Sequence, residues 1–423
     1  MRLERVSLFN KKKDFFYFLL LCSSILFYSL LIEFHNYKNL TRFNSTIIEA
    51  KVLKQYTKTK NSRTYQILKL KTDKGVNLYT STKKSFKQSK GKKLSLEIWA
   101  GDITFYEYLT SFYAYSKVLH VEETLSLKQE LNLAISSQHV DENISNIYQA
   151  LFTATPLHRS LQTSFSYLGV SHLLAISGFH LGVLSALLFF FFRPLYLFFG
   201  NRYFPYRNSK SDIFIIVAAV LLSYLLFLDS PPSLLRAFAM LLVGFVLYDR
   251  GMKIISMQTL LLTILLLLSF FPRLFFALGF WLSVSGVFYI FLFLIHFKQL
   301  HNIWQFILVP FWVYILMLPY SLIIFGSFSI YHPLSILWTT LFTLFYPLSI
   351  FLHGVGFGDM FDSLLINFIE LSQSKATINL SYMWLIIDIA ISLLSIFYRN
   401  FVFILLMFNL SILIYAIYQI TQF

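Results

Sequence analysis

A chain of 423 residues that is 57% hydrophobic and 13% charged, with a mean hydropathy of +0.64, is too apolar for an ordinary soluble enzyme. A water-facing surface needs about a quarter of all residues charged, so the chain reads as an integral membrane protein. Its net charge is nonetheless +15, and that excess must sit somewhere in particular.

In chain order, composition divides the sequence at residues 32, 110 and 168. Residues 1–32 are a basic head, with Arg2, Arg5, Lys11, Lys12 and Lys13, followed by an apolar run from Phe15 to Ile32. The run is long enough to span a bilayer and no small-residue cleavage site follows it. It is expected to be an uncleaved anchor with a cytoplasmic N-terminus. Cys22 is the sole cysteine, which excludes an internal disulfide and a Cys-based zinc site.

Residues 33–110 are expected outside the cytoplasm. Short stretches at 47–53, 64–72, 76–82 and 94–99 are rich in β-branched and aromatic residues and are punctuated by Gly75, Gly91 and Gly101, the pattern of strands and turns. So many short strands in so little chain suit a small OB-like β-barrel. From Lys51 to Lys93 there are fourteen Lys and Arg against one acid, Asp73, which accounts for most of the chain's excess charge. The lysines are expected in two hairpins, Lys54, Lys58, Lys60 and Arg63 in one and Lys83, Lys84, Lys87, Lys90, Lys92 and Lys93 in the other. With Tyr56, Tyr65, Tyr79 and Phe86 interleaved, they form a candidate surface for a nucleic-acid backbone. A solvated basic face or contact with anionic lipid headgroups is the alternative. Residues 111–168 read as a more acidic helical connector.

Residues 169–423 hold the remaining candidate spans, near 181–199, 213–229, 234–249, 254–271, 275–297, 303–325, 334–352, 382–398 and 401–420. With the anchor this gives nine to ten membrane segments. Loops carrying Arg193, Arg202, Arg207 and Lys210, then Arg250 and Lys253, then Lys298 all fall inside under the positive-inside rule. The stretch 334–352 has two readings. As a full crossing it places Asp359, Asp362 and Glu370 in the cytoplasm and Arg399 outside. As a re-entrant pair broken at Pro347 it reverses both, and the charge of Arg399 favours this version.

No Walker sequence, HxHxDH, HExxH or CxxC occurs, so no metal, no cofactor and no nucleotide hydrolysis are expected. The most unusual local sequence runs from His172 to Gly182. Ser177 and His180 share a helix face there, which admits an intramembrane Ser/His hydrolase, although no third group orients the pair. A polar helix start in which Ser177 and Gly178 allow close packing is the simpler account. Arg236 and Asp388 place charge inside apolar segments, where an ionisable group faces a cavity or a partner. Phosphate contact and a structural ion pair weigh evenly for Arg236; a structural partner is ahead for Asp388.

Several stretches resemble the ComEC-type competence proteins: GVSHLLAISGFHLGVL (169–184), PSLLRAFAM (232–240), LSFFPRLFFALGFWLSVSGV (268–287), LPYSLIIFGSFSIYHPLSILWTTLFTLFYPL (318–348) and ITFYEYLTSFYAYSKVL (103–119). Asp229-Ser230-Pro231 and His332-Pro333 depart from the family's usual Gly and Asn. The resemblance implies passage of single-stranded DNA across a bacterial inner membrane during natural transformation. His172, Ser177, Gly178, His180 and Arg236 would then be channel-motif residues. Implied partners are a periplasmic DNA receptor, a cytoplasmic motor or single-strand-binding proteins, and a separate nuclease; homo-oligomerisation is left open. The chain ends at Phe423 without a metallo-β-lactamase-like His/Asp motif, so a short form that moves DNA without cutting it is expected. A small-solute or lipid-linked sugar transporter is the alternative.

Overall fold

The computed structural model describes residues 8, 11–60, 63–87, 89–122, 126–174, 176–203, 206–373, 376–378 and 380–421. Arg2 and Arg5 of the basic head, and the side chain of Arg63, lie outside this description. The chain forms two compact units, one of residues 12–134 with 265–277 and one built mainly of 135–264 and 278–423.

The first unit opens with α1 (Lys12–Thr41). It outruns the expected anchor because nothing in residues 33–41 breaks a helix. Phe34, Tyr37 and Leu40 recur at helical spacing, and Tyr37 and Leu40 pack on the sheet core. The Tyr37 hydroxyl donates to the Ile103 carbonyl at 2.9 Å, and Phe34 meets Phe105 edge to face. The strands are β1 (Thr46–Lys60), β2 (Arg63–Thr72), β3 (Asn77–Lys83) and β4 (Lys93–Trp99), followed by α2 (Phe105–Leu109), β5 (Phe112–Tyr113), β6 (Tyr115–Val121) and α3 (Leu127–Ser136). The sheet order is β5-β3-β2-β1-β4-β6, with β3 and β5 parallel. Its two edge strands are consecutive in the chain, separated by Ala114 alone. The Ala114 amide bonds to the Tyr79 carbonyl at 3.0 Å, and the Thr80 and Ser116 hydroxyls meet at 2.8 Å. Val52, Leu68, Leu70, Leu78, Leu94, Leu96 and Ile98 alternate inward to make the core, as a period of two requires.

Arg273, from the 271–277 segment of this unit, fastens three of its parts. It pairs with Glu33 of α1 at 2.6 Å, donates to the Lys74 carbonyl at 3.2 Å and lies over the Tyr108 ring at 4.9 Å. Burial pushes the Tyr108 phenol up to about 12, against the opposing pull of Arg273.

The second unit is helical. After α4 (Glu142–Thr153), α5 (Arg159–Tyr167) and α6 (Ser171–Leu174) come α7 (Gly178–Tyr203), α8 (Ser209–Phe227), α9 (Pro232–Asp249), α10 (Met257–Phe270), α11 (Leu278–His296) and α12 (Asn302–Phe325). Then follow β7 (Ser327–Phe328), α13 (Ser335–Val355), α14 (Asp362–Glu370), β8 (Ala376–Thr377), α15 (Tyr382–Leu394) and α16 (Arg399–Thr421). Among the described residues, eight helices are long and apolar enough to cross a membrane, so this is a multi-pass membrane protein. Two expected spans fall short: α10 has 14 residues and α15 has 13, about 20 Å each at 1.5 Å per residue. Phe271-Pro272 stops the first and a turn at 395–397 stops the second.

Two further expectations change. The connector is not purely helical, since β5 and β6 fall within it; its Tyr and Val residues satisfy the open edges of the sheet. Nor is α13 broken at Pro347: it is one 21-residue helix, because a missing N–H frees only one carbonyl. Yet the segment does return. β7 and β8 pair antiparallel, Ser327 with Thr377 and Phe328 with Ala376, so α15 starts where α12 ends. At the far end of α13, the Gly358 amide donates to Gln138 Oε1 at 3.0 Å and His139 Nδ1 meets Asp362 Oδ1 at 2.9 Å. The acidic turn therefore lies beside the start of α4. Ile144, Ile147, Tyr148, Phe165 and Leu173 pack with Phe342, Tyr346, Leu365 and Phe368 along α13 and α14.

Candidate functional site

Strand register, rather than the hairpin tips, organises the lysines of the sheet unit. Lys54, Lys58 and Lys60 belong to β1 itself, in the β1–β2 hairpin, so the ladder carries them. Across from them on β2 stand Lys69, Tyr65 and Arg63, respectively, with Ile67 opposite Tyr56. On β3, Tyr79 stands opposite Lys69 and Lys83 opposite Tyr65. One face thus interleaves Lys54, Lys58, Lys60, Lys69 and Lys83 with Tyr56, Tyr65 and Tyr79. The ammonium of Lys69 sits 5.5 Å from the centre of the Tyr79 ring. Lys54 faces Lys69 directly, and like charges opposite one another are destabilising in a sheet. Partial burial, and then Lys69, lowers the affinity of Lys54 for its proton. Asp73, the acid in this stretch, is 3.7 Å from Lys93.

Lys84 and Lys87 belong to the segment joining β3 to β4. Gln66 donates to the Lys84 carbonyl at 2.8 Å and the Phe86 carbonyl at 3.1 Å, while Gln55 accepts from the Ser89 amide at 2.8 Å. By strand alternation Gln55 and Gln66 point away from the Lys54 face. The ten basic residues therefore do not form one patch: the Lys84 and Lys87 turn backs the strand face, Lys90 and Lys92 continue it, and Lys93 opens β4.

In the helical unit, α7 begins at Gly178. The Ser177 hydroxyl oxygen accepts from the Phe179 amide at 3.3 Å, and His180 Nδ1 accepts from the Ser177 amide at 3.2 Å. Ser177 Oγ is 3.1 Å from the same nitrogen. This is a helix cap. Nδ1 is an acceptor here, and His180 Nε2 is buried without a partner, between the Phe342 and Tyr346 rings. Among the described residues no carboxylate orients the imidazole, so the pair there lacks the geometry of an activated nucleophile. A Cβ on Gly178 would meet the Ala237 methyl at 3.0 Å, which explains glycine at this crossing of α7 and α9.

Arg236 lies one turn into α9 and is 2% exposed. It donates to the Ser233 carbonyl at 3.2 Å and the Phe280 carbonyl at 3.4 Å. Its Nε has no partner, and no acid forms an ion pair with it among the described residues. The Ser233 hydroxyl closes the junction by donating to the Ile176 carbonyl at 2.6 Å. His172, in α6, donates from Nε2 to Thr339 Oγ1 at 3.3 Å, since the Thr339 hydrogen is committed to the Ser335 carbonyl.

The structure adds His332, which sequence treated only as a departure from a pattern. It is buried, bonded through Nδ1 to the Tyr314 hydroxyl at 3.0 Å, with Nε2 unpartnered. Gly169, at φ +71°, presses its backbone against this ring, where a Cβ would come within 2.8 Å. A histidine before Pro333 at a helix start was the available signal. His180, Arg236 and His332 thus each hold a buried nitrogen without a partner, and all three lie in the segments that carry the sequence resemblance.

A family model described as Competence protein matches residues 154–421. No curated protein and no solved structure matches the chain.

Proposed function

This chain belongs to the Competence protein family, and from that premise we propose that it conducts single-stranded DNA across a bacterial inner membrane during natural transformation. The sheet unit, on the outer side, captures the strand. Its connectivity supports an OB-like barrel, in which β5 and β6 act as one strand that pairs with both β3 and β4. The observation that carries the reading is the Lys and Tyr face of β1, β2 and β3. Its unbalanced like charges call for a polyanion, and its rings offer stacking surfaces without sequence preference.

Within the bundle, Arg236 meets passing phosphates through its unpartnered Nε–H, while the Ser177 and His180 cap and Gly178 hold α7 against α9 around it. A DNA receptor outside and a motor or single-strand-binding protein inside would supply delivery and pulling. The test is binding of a fluorescent oligothymidylate by the full chain in nanodiscs across a salt series. Lys54→Gln, Lys58→Gln and Lys60→Gln together should weaken binding and reduce the log–log salt slope by about 2, at roughly 0.7 per lost phosphate contact. An unchanged slope, or binding that follows anionic lipid content instead, rejects the assignment of this face.

A further inference from the structure

The bundle holds a second polar site, far in character from the basic surfaces above. Asp388 of α15 is fully buried. Its Oδ1 accepts from Asn409 Nδ2 of α16 at 2.7 Å, and its Oδ2 from the Tyr289 hydroxyl of α11 at 2.9 Å. The Tyr289 oxygen is in turn 3.2 Å from the Tyr320 hydroxyl of α12 and 3.0 Å from the Ser392 hydroxyl. Tyr289 and Tyr320 are the titratable groups that face Asp388 from α11 and α12; α16 presents Asn409. No Lys, Arg or His pairs with the carboxylate among the described residues. An ionised carboxyl in such a place is costly unless neutralised.

The identity of the neutralising cation follows from hydrogen bookkeeping. Asn409 Nδ2 also donates to the Leu405 carbonyl at 2.9 Å, which fixes the amide with its N–H groups toward Asp388. Both nearest groups therefore present hydrogens, not lone pairs, and a metal cation finds no inward oxygen shell. A proton meets these conditions.

We propose that Asp388 is a reversible proton-binding site. When a proton arrives, Asp388 donates through Oδ2 to the Tyr289 oxygen, and the Tyr289 hydrogen turns to Ser392 or Tyr320; when it leaves, the bonds reverse. The net step adds one H⁺ from water to one carboxylate. Access is from the His296 end. Asp388, Ser392 and Ser395 lie on one face of the chain at helical spacing, and Tyr289 and His296 do so on α11. Ser395 donates to the Ser392 carbonyl at 2.6 Å, and its own carbonyl accepts from the half-buried His296 Nε2 at 2.9 Å. These groups mark a polar line from the end of α11 through Ser395 and the Ser392 carbonyl, with the Ser392 hydroxyl beside Tyr289 at the carboxyl. The inference does not depend on the DNA reading.

The test is infrared difference spectroscopy of the full chain in liposomes after a pH jump, with no DNA present. The expected result is one buried carboxylic-acid band that titrates reversibly and is missing in Asp388→Asn. His296→Ala should slow its exchange with bulk protons roughly tenfold without moving its midpoint. A spectrum identical in wild type and Asp388→Asn overturns the proposal. Should that variant not fold, Tyr289→Phe takes its place: it must shift the midpoint of the band, and an unshifted midpoint or no titrating band at all overturns the proposal equally.

Discussion

Arg236 is held by two backbone carbonyls, with its Nε–H left without a partner and no paired acid among the described residues. A charge in that state subtracts from stability, and replacing it with a well-packed apolar side chain is neutral or stabilising. Arg236→Met is therefore expected to hold or raise the thermal midpoint, with a change of up to about 2 kcal/mol in the favourable direction. Transformation should nevertheless drop by roughly two orders of magnitude, the effect of losing about 3 kcal/mol on the rate-limiting passage. Thermal unfolding and transformation frequency, measured side by side, check the pair. A joint fall of both would make Arg236 a structural residue. Ser177 gives the contrasting case. Sequence alone placed it beside His180 and left chemistry and packing both open. The structure uses both groups to cap α7, a role for which residue spacing is as suitable as for catalysis.

At the level of elements, caps and glycines decide where helices begin. α2 starts with Thr104 and Glu107 bonded reciprocally: the Thr104 amide and hydroxyl both donate to Glu107 Oε2 at 2.8 Å. These bonds hold the Glu107 carboxyl below its ordinary value. A depressed carboxyl contributes stability above the unfolded pKa, about 4.3 for Glu, and loses it as pH falls through the lower folded value. The protection factors of the α2 amides, corrected for the intrinsic pH dependence of exchange, should therefore fall on acidification through that window, and Glu107→Gln should flatten the dependence. The lengths of the helices were less legible than their existence. α1 continues past its apolar stretch because its tail packs on the sheet, and α13 runs through Pro347 because its neighbours hold it. Neither fact is written in local hydropathy.

For the whole molecule, the pairing of β7 with β8 matters most. It brings the chain back at Ala376 to where it left at Phe328, so the acidic turn and Arg399 fall on opposite sides if α15 and its turn cross. On a Cys22→Ala background, Asp359→Cys and Glu142→Cys should react with an impermeant maleimide from one side of the membrane and Arg399→Cys only from the other. Labelling of Asp359→Cys and Arg399→Cys from the same side would reject this topology. The sequence by itself determined the membrane class, the basic stretch, the four main strands and the family resemblance. Each of these is written in composition or in short periodic patterns, which local sterics and solvent preference enforce. Tertiary structure alone decided that the lysines form a ladder face backed by a turn, and that Ser177 and His180 cap a helix. It alone placed unpartnered nitrogens on His180, Arg236 and His332, and gathered Asp388, Tyr289 and Asn409 from three helices. Most of those outcomes depend on contacts between residues distant in the chain, such as His180 with Tyr346 and Tyr289 with Asp388, and strand register and helix packing, not local propensity, set which of them meet.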